Sequence, residues 1–198
     1  MTAPERPTAR AHREITAVLR QCDLAIDATA GNGHDTLFLA KLVGETGTVI
    51  AFDVQEQAIT STRERLASAN LLDRVTLVHG SHATLSDHAK PATASAVMFN
   101  LGYLPGADHA IITQTEETLQ ALDASLIVLK PGGILTIVCY PGHDGGDKES
   151  AAVVAWAENH HAEIFRREDT LRPAPFLVLV RSMDILSTPR RPNVDTPQ

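Results

Sequence analysis

Two aspartates and a glycine-rich turn have the spacing of a cofactor pocket. Asp27 ends the apolar run LAID and stands four residues before Gly31, with Gly33 just beyond. Glycines permit a tight turn and a close approach of a ligand to the backbone, and a helix that follows presents unpaired N–H groups. Asp53 ends the next apolar run, where a carboxylate can accept hydrogen bonds from both hydroxyls of a ribose. The pattern predicts a site for an adenosine-containing cofactor.

The residues of this turn also favour one such cofactor over another. A dinucleotide-binding fingerprint would place its third glycine at the position of Thr36. The carboxylate of Asp27 suits the ammonium of an amino acid better than a pyrophosphate. The pattern D-x-T-x-G-x-G with Asp53 therefore favours S-adenosylmethionine over NAD. Both aspartates could instead cap a helix or end a strand in solvent.

Further polar residues are candidates for the same pocket. Asp35 and Thr36 begin the next predicted helix, where they could bind the cofactor or only cap the helix. Ser81 and His82 follow the third apolar run, from which side chains could reach an adenine. His79 and His82 are three residues apart, but no cysteine or carboxylate cluster accompanies them, so no metal site is predicted.

The segment FNLGYLPG, residues 99–106, places Asn100 at the end of the fourth apolar run. Methyl transfer from a sulfonium to an amine is an in-line displacement, so an enzyme mainly has to hold the nitrogen lone pair against the methyl carbon. An Asn oxygen can accept the amine's hydrogens, and Tyr103 can offer a stacking face to a base. The order Asn100 to Tyr103 has the layout of the N-P-P-Y element of amino-methylating nucleic-acid methyltransferases. A turn without chemistry is the alternative.

A second polar loop, CYPGHDGGDKE, follows the fifth apolar run and would lie at the same edge of a sheet. It contains Tyr140 and His143. His143 and His109 are candidate proton acceptors, although a single histidine in a loop is more often only exposed.

The distribution of charge limits how a nucleic acid could bind. The net charge is −7, with +2 over residues 1–20, −10 over residues 21–162 and +1 over residues 163–198. The overall field repels phosphate, so a nucleic acid would have to be engaged by local arginine clusters near the termini.

The chain has no features of a secreted or membrane protein. Cys22 and Cys139 are the only cysteines, and Cys139 lies inside an apolar run, so a disulfide is not expected. The N-terminal segment has no apolar stretch of the signal-peptide kind, and nowhere do eighteen apolar residues run together. We expect a soluble cytoplasmic protein.

Apolar runs alternate with helix-like segments from about residue 24, which indicates βαβ units and a parallel sheet with helices on both faces. The last two runs, AEIFR and FLVLVR, are joined by too few residues for a parallel crossover, so they should pair antiparallel. Seven strands with an antiparallel C-terminal strand is the plan of the Rossmann-like class I methyltransferases. One domain over residues 1–186 and a mobile tail over residues 187–198 are expected. The predicted helices are Thr8–Arg20, Asp35–Val43, Glu56–Ala69, Ile111–Leu129 and Lys148–His160.

The motifs DATAGNGHDT, AFDVQ, FNLGYLPGADH, LKPGGILTIVCYPGH and PAPFLVLV together resemble the YtqB/MnmM family, long labelled rRNA methylases. The similarity covers nearly the whole chain, with small departures at PGAD and PAPF. It implies S-adenosylmethionine as donor and methylation of 5-aminomethyl-2-thiouridine at the tRNA wobble position, in the anticodon region, to the 5-methylaminomethyl form. It also makes a homodimer an expectation. A small-molecule or rRNA methyltransferase with the same donor, or a non-catalytic S-adenosylmethionine-binding protein, stays open.

Roles for individual residues follow from the motifs and the resemblance. The residues predicted to hold the donor are Asp27, Thr29, Gly31, Asn32, Gly33, Asp35, Thr36, Asp53, Gln55, Ser81 and His82. The predicted catalytic residues are Asn100, Tyr103 and His143. The predicted substrate contacts are Leu101, Gly102, Leu104, His109, Tyr140, Pro141 and Gly142.

Overall fold

A computed structural model describes residues 5–102, 115–142, 145–166 and 173–182. Within these residues seven strands form one sheet in the order β3-β2-β1-β4-β5-β7-β6. The first five pair in parallel, and β7 runs antiparallel to both β5 and β6. The strands are β1 Leu24–Asp27, β2 Thr48–Asp53, β3 Val75–His79, β4 Ala94–Leu101, β5 Leu129–Cys139, β6 Glu163–Phe165 and β7 Phe176–Arg181. The predicted fold class and the antiparallel C-terminal pair are confirmed.

Helices cover both faces of this sheet. The α-helices are α1 Pro7–Val18, α2 His34–Val43, α3 Glu56–Ser68, α4 Leu85–His88, α5 Thr115–Val128 and α6 Gly146–Glu158, and single 3₁₀ turns occur at Leu72–Arg74 and His82–Thr84. None of the helices in the described segments is long and apolar enough to span a membrane.

The core consists of two apolar layers, one on each face of the sheet. α1, α2 and α3 build the first layer, which includes Ile15 and Leu66. α4, α5 and α6 build the second, which includes Leu85 and Leu122. Because both faces are covered, the central strands are apolar on both sides, as parallel strands usually are.

Strand alternation decides which polar residues meet at the carboxyl edge. In β4, Met98 belongs to the first layer and Phe99 to the second. Successive side chains of a strand point to opposite faces, so Asn100 lies on the face of Met98, which α1, α2 and α3 cover. The same alternation places Asp27 and Asp53 on that face. In the sheet, β2 lies on one side of β1 and β4 lies on the other, so the strand order reverses at β1. Open α/β sheets bind ligands at such a switch point.

The structure differs from the predicted elements in two places. The described helix ends lie within two residues of the predicted ones, which is the usual variation in helix boundaries. The one-turn helix α4 was not predicted, because it is too short to show a helical period. Strand β5 begins at Leu129, whereas the apolar run that predicted it begins at Gly133. Pro131 and Gly132 interrupt the apolar pattern, and the pairing with β4 shifts register there. The first residues of the predicted helix Ile111–Leu129 and the predicted tail lie outside the described residues.

Candidate functional site

The carboxyl end of β1 is organised around the buried side chain of Asp27. Its Oδ1 accepts a hydrogen bond from the Thr29 N–H at 3.1 Å, and its Oδ2 accepts one from the Thr36 hydroxyl at 2.6 Å. The side chain is fully buried. Burial, with the negative charge of Asp35 as the next cause, raises the pKa of Asp27 from 3.8 to about 7, although the two hydrogen bonds oppose that rise.

The glycine-rich turn is tied to α3 on its outer side. Gly33 has a φ of +76°, and a Cβ there would lie 2.8 Å from the Thr62 Cα, so only glycine fits without a shift. Thr62 Oγ1 donates to the Gly31 carbonyl at 3.1 Å, and Arg65 Nε donates to the Asn32 carbonyl at 2.5 Å. These bonds fix the turn and hold its backbone close to the ends of β1 and β2.

Asp53 connects this turn to the end of β2. Its Oδ2 accepts the Gly31 N–H and its Oδ1 accepts the Gln55 N–H, both at 2.9 Å. Each carboxylate oxygen has a second lone pair, so both can accept one more hydrogen bond. The half-buried carboxylate is therefore already oriented for two hydroxyl donors.

His82 and Ser81 stand beyond the end of β3. The ring nitrogen Nδ1 of His82 lies 3.0 Å from the Ala28 carbonyl, so it carries the hydrogen. Burial lowers the pKa of His82 and keeps the ring neutral, which leaves Nε2 as a buried acceptor that no described residue partners. Ser81 Oγ donates to Glu117 Oε2 at 2.5 Å. An amino group of a ligand would satisfy the His82 acceptor.

Asn100 is held by both its backbone and its amide. The backbone N–H donates to Thr29 Oγ1 at 2.7 Å, and Nδ2 donates to Asp35 Oδ2 at 3.0 Å. The other oxygen of Asp35 lies 2.7 Å from His12 Nε2. Asn100 Oδ1 is buried and has no hydrogen-bond partner among the described residues. The amide therefore presents an unused acceptor beside the glycine-rich turn.

The loop after β5 meets the end of β4. A Cβ at Gly102 would lie 3.5 Å from Tyr140 Cδ2, so the Tyr140 ring packs over the Gly102 backbone. The Tyr140 hydroxyl is 3.4 Å from the Thr8 hydroxyl on α1. Gly142 donates its N–H to Asp147 Oδ1 at 2.8 Å, which attaches the loop to the start of α6. The two polar segments singled out in the sequence thus lie side by side.

Some of the predicted site residues lie together in the structure, and others lie outside its described part. The residues around Asp27, Asp53 and Asn100 form one hydrogen-bonded assembly, with Leu101 buried beside it and Pro141 half-buried. Asp35 and Thr36 make their bonds to Asn100 and Asp27, and neither side chain caps α2. The predicted residues outside the described part of the chain are Tyr103, Leu104, His109 and His143. Every functional role remains a prediction.

Sequence reasoning missed His12, Thr62, Arg65 and Glu117. Thr62 and Arg65 are three residues apart on a predicted helix, so a shared face was the available signal. His12 and Glu117 lie far along the chain from their partners, and no local pattern marked them. In the described segments, no three His, Cys, Asp or Glu side chains converge as metal ligands would, and His79 contacts the Val54 carbonyl instead of His82.

Comparison with known proteins finds solved structures with the same fold and a family whose model matches this chain. Residues 49–170 match the family described as "Putative rRNA methylase". A solved structure of that description from Clostridium thermocellum is 37% identical with a TM-score of 0.88, and the similarity covers 92% of this chain and all of that one. A methyltransferase from Streptococcus mutans, solved in complex with SAH, is 38% identical with a TM-score of 0.82, over 91% of this chain and all of that one.

A curated relative from Arabidopsis thaliana is named "tRNA (mnm(5)s(2)U34)-methyltransferase, chloroplastic". It is 40% identical over 161 residues, which are 77% of this chain, and the matched region spans 59% of that relative's length.

The strand order and the site at its switch point define the Rossmann-like fold of class I methyltransferases. Within that class, the chain belongs to the family described as "Putative rRNA methylase". The resemblance found in the motifs is confirmed at the level of the family.

The raised pKa of Asp27 predicts a pH-dependent stability. A carboxyl whose pKa rises on folding, here from 3.8 to about 7, stabilises the fold fully below the unfolded value and loses that contribution as the pH rises through the folded value. Relative to Asp27→Asn, the wild-type free energy of unfolding should fall by roughly 4 kcal/mol between about pH 4 and pH 7 and then level off. Urea unfolding of both proteins at several pH values measures this. The exposed Asp73→Asn should run parallel to wild type, and parallel curves for Asp27→Asn would contradict the assignment.

Proposed function

We propose that this protein is an S-adenosylmethionine-dependent methyltransferase that methylates the amine of 5-aminomethyl-2-thiouridine at the wobble position of tRNA. The observation that carries the proposal is Asn100 Oδ1, a buried acceptor without a partner in the described part of the chain, beside the turn that joins Asp27 to Asp53. The name of the Arabidopsis relative supports the tRNA substrate, and the SAH complex of the Streptococcus mutans relative supports the donor.

The residues at the carboxyl edge fit S-adenosylmethionine. Each carboxylate oxygen of Asp53 can accept one more hydrogen bond, from a ribose hydroxyl. His82 Nε2, which has no partner among residues 5–102, 115–142, 145–166 and 173–182, can accept a hydrogen from the adenine amino group. The donor supplies a methyl group on a positively charged sulfonium. The carboxylate of Asp53, and that of Asp27 once a bound cation lowers its raised pKa, suit the positive charges of the donor's sulfonium and amino group.

Asn100 suits an amine acceptor. Its Oδ1 can accept one hydrogen of a neutral amine and leave the nitrogen lone pair directed away from the Asn, so that orientation is the main contribution of the protein. An aminomethyl group is largely protonated in water, and only the neutral form has the lone pair that reacts. Tyr140, packed over Gly102, offers an aromatic face next to Asn100 on which a pyrimidine can stack.

Two arginine-containing segments meet near this edge and can contact the tRNA backbone in its anticodon region. The guanidinium of Arg10 on α1 lies 3.5 Å over the Phe165 ring, and Arg166 lies 4.8 Å over the Phe176 ring. The start of α1 also reaches Tyr140 through Thr8. The proposal includes a cytoplasmic location and a homodimer.

The direct test is methylation of tRNA by the purified protein. With S-adenosylmethionine and tRNA that carries the 5-aminomethyl group, mass spectrometry of the nucleosides should show conversion to the methylaminomethyl form. Transfer to small amines with none to tRNA would overturn the proposal in favour of a small-molecule methyltransferase. Donor binding without transfer to any RNA would overturn it in favour of a binding protein.

Substitutions should separate acceptor orientation from donor binding. Asn100→Ala removes the acceptor, so kcat should fall by about 100-fold while the affinity for S-adenosylhomocysteine changes by no more than about twofold. Asp53→Ala removes the ribose partner and should weaken that affinity by about tenfold or more. Calorimetry and single-turnover assays measure the two effects. The exposed Asn159→Ala is the matched control, and equal losses of donor affinity in the Asn100 and Asp53 variants would contradict the assigned roles.

The arginine segments predict a salt-dependent tRNA affinity. Arg6→Ala combined with Arg166→Ala removes two exposed charges, so KM for tRNA should rise about fivefold or more at moderate salt, and the slope of log affinity against log salt should fall by about two. Lys90→Ala removes one charge at the opposite, amino-terminal edge of β4 and should change neither quantity. A double variant with wild-type KM and slope would show that the tRNA binds elsewhere.

A further inference from the structure

Asp35 makes no bond typical of its place in α2. It is the second residue of that helix, whose N-cap residue, Gly33, makes no side-chain cap bond. Both carboxylate oxygens instead bond to side chains of other elements, Asn100 on β4 and His12 on α1. The residue is only 6% exposed. A carboxylate is costly to bury, so the two charge-assisted bonds that Asp35 accepts from distant segments indicate a specific role for this side chain.

The carboxylate of Asp35 determines which way the Asn100 amide faces. An ionised carboxylate can only accept hydrogen bonds, so the Asn100 nitrogen must face Asp35 and the oxygen must face away. The backbone of Asn100 is fixed as well, by its bond to Thr29 Oγ1. Because the backbone and the amide nitrogen of Asn100 are both held, its Oδ1 has one orientation. This oxygen is the atom that is buried without a partner among the described residues.

His12 holds Asp35 from the opposite side. Its Nε2 donates to Asp35 Oδ1 at 2.7 Å, and its ring is stacked on Phe38 with the centroids 3.9 Å apart and the planes 9° from parallel. The stacking fixes the imidazole plane, so the carboxylate between His12 and Asn100 cannot rotate without breaking a bond on one side.

We propose that Asp35 and His12 are positioning residues that hold the Asn100 amide with its oxygen directed at the substrate amine. The proposal rests on the proposed function and gives Asp35 this role in place of donor contact. Neither residue need touch donor or substrate, because they act through Asn100.

The kinetic test uses His12→Ala, His12→Gln, Asp35→Ala and Asn100→Ala. His12→Ala should lower kcat about tenfold with KM for tRNA and S-adenosylhomocysteine affinity within about twofold, because the lost bond loosens only the amide. His12→Gln can still donate to Asp35 from its amide nitrogen and should recover most of kcat. The exposed His88→Ala should match wild type.

A double-mutant cycle tests whether Asp35 acts through Asn100. Asp35→Ala should lower kcat substantially in the wild-type background but by no more than about twofold once Asn100 is already Ala. Additive losses, or loss of donor affinity in the His12 variants, would overturn the proposal. Urea unfolding checks that each variant folds, and should Asp35→Ala fail to fold, the two His12 variants decide the question.

A measurement without substrate separates this inference from the proposed function. The NMR signal of the Asn100 side-chain NH₂ can be identified by its loss in Asn100→Ala. In wild type and in His12→Gln, its chemical shift should differ from that of a free amide, and its hydrogens should exchange slowly with water. It should move towards the free-amide position in Asp35→Ala and His12→Ala. An unchanged signal in Asp35→Ala overturns the positioning role, whereas wild-type protein with the expected signal but no tRNA methylation refutes only the proposed function.

Discussion

The buried carboxylate of Asp27 is the interaction on which the arrangement of the site depends. One oxygen bonds the Thr29 N–H and the other bonds the Thr36 hydroxyl, so a single side chain connects the end of β1 to both sides of the glycine-rich turn. Thr29 Oγ1 in turn accepts a hydrogen bond from the backbone N–H of Asn100. The position of the amide on β4 is therefore tied, through one threonine, to the turn that we propose binds the donor.

The concentration of negative charge at this edge is unfavourable without a ligand. Burial is the main cause that raises the pKa of Asp27 to about 7, and the negative charges of Asp35 and Asp53 add to that rise. A ligand with positive charge relieves that repulsion, so part of its binding free energy comes from charges that the fold already holds together. A neutral ligand would not relieve this repulsion and an anionic ligand would increase it, which agrees with a sulfonium donor.

The sequence predicted the sheet and the turn well, because their signals are local. Apolar runs, glycines and strand-end aspartates all lie within short segments, and the strand period places Asp27, Asp53 and Asn100 on one face once the strands are known. The partners of Asp35 could not be predicted, since they lie 23 and 65 residues away and meet only when α1 packs on the sheet. From the sequence, Asp35 was predicted to contact the donor or to cap α2, and its bonds to His12 and Asn100 are seen only in the structure. The start of β5 was missed because Pro131 and Gly132 suggest a turn, whereas the sheet accommodates them as an irregularity.

Helix α1 lies outside the βαβ succession, yet it contacts the parts of the site that we propose bind or orient the acceptor. Thr8 lies next to Tyr140, His12 bonds Asp35, and Arg10 covers Phe165. Thr8 and His12 are four positions apart and share one side of α1, whereas Arg10 projects from another side. The residues proposed to bind the donor are held instead by α2 and α3. In the proposed function, the helices that follow β1 and β2 therefore hold the donor, and a helix that precedes the sheet orients the acceptor. A change in α1 should accordingly alter transfer more than donor binding.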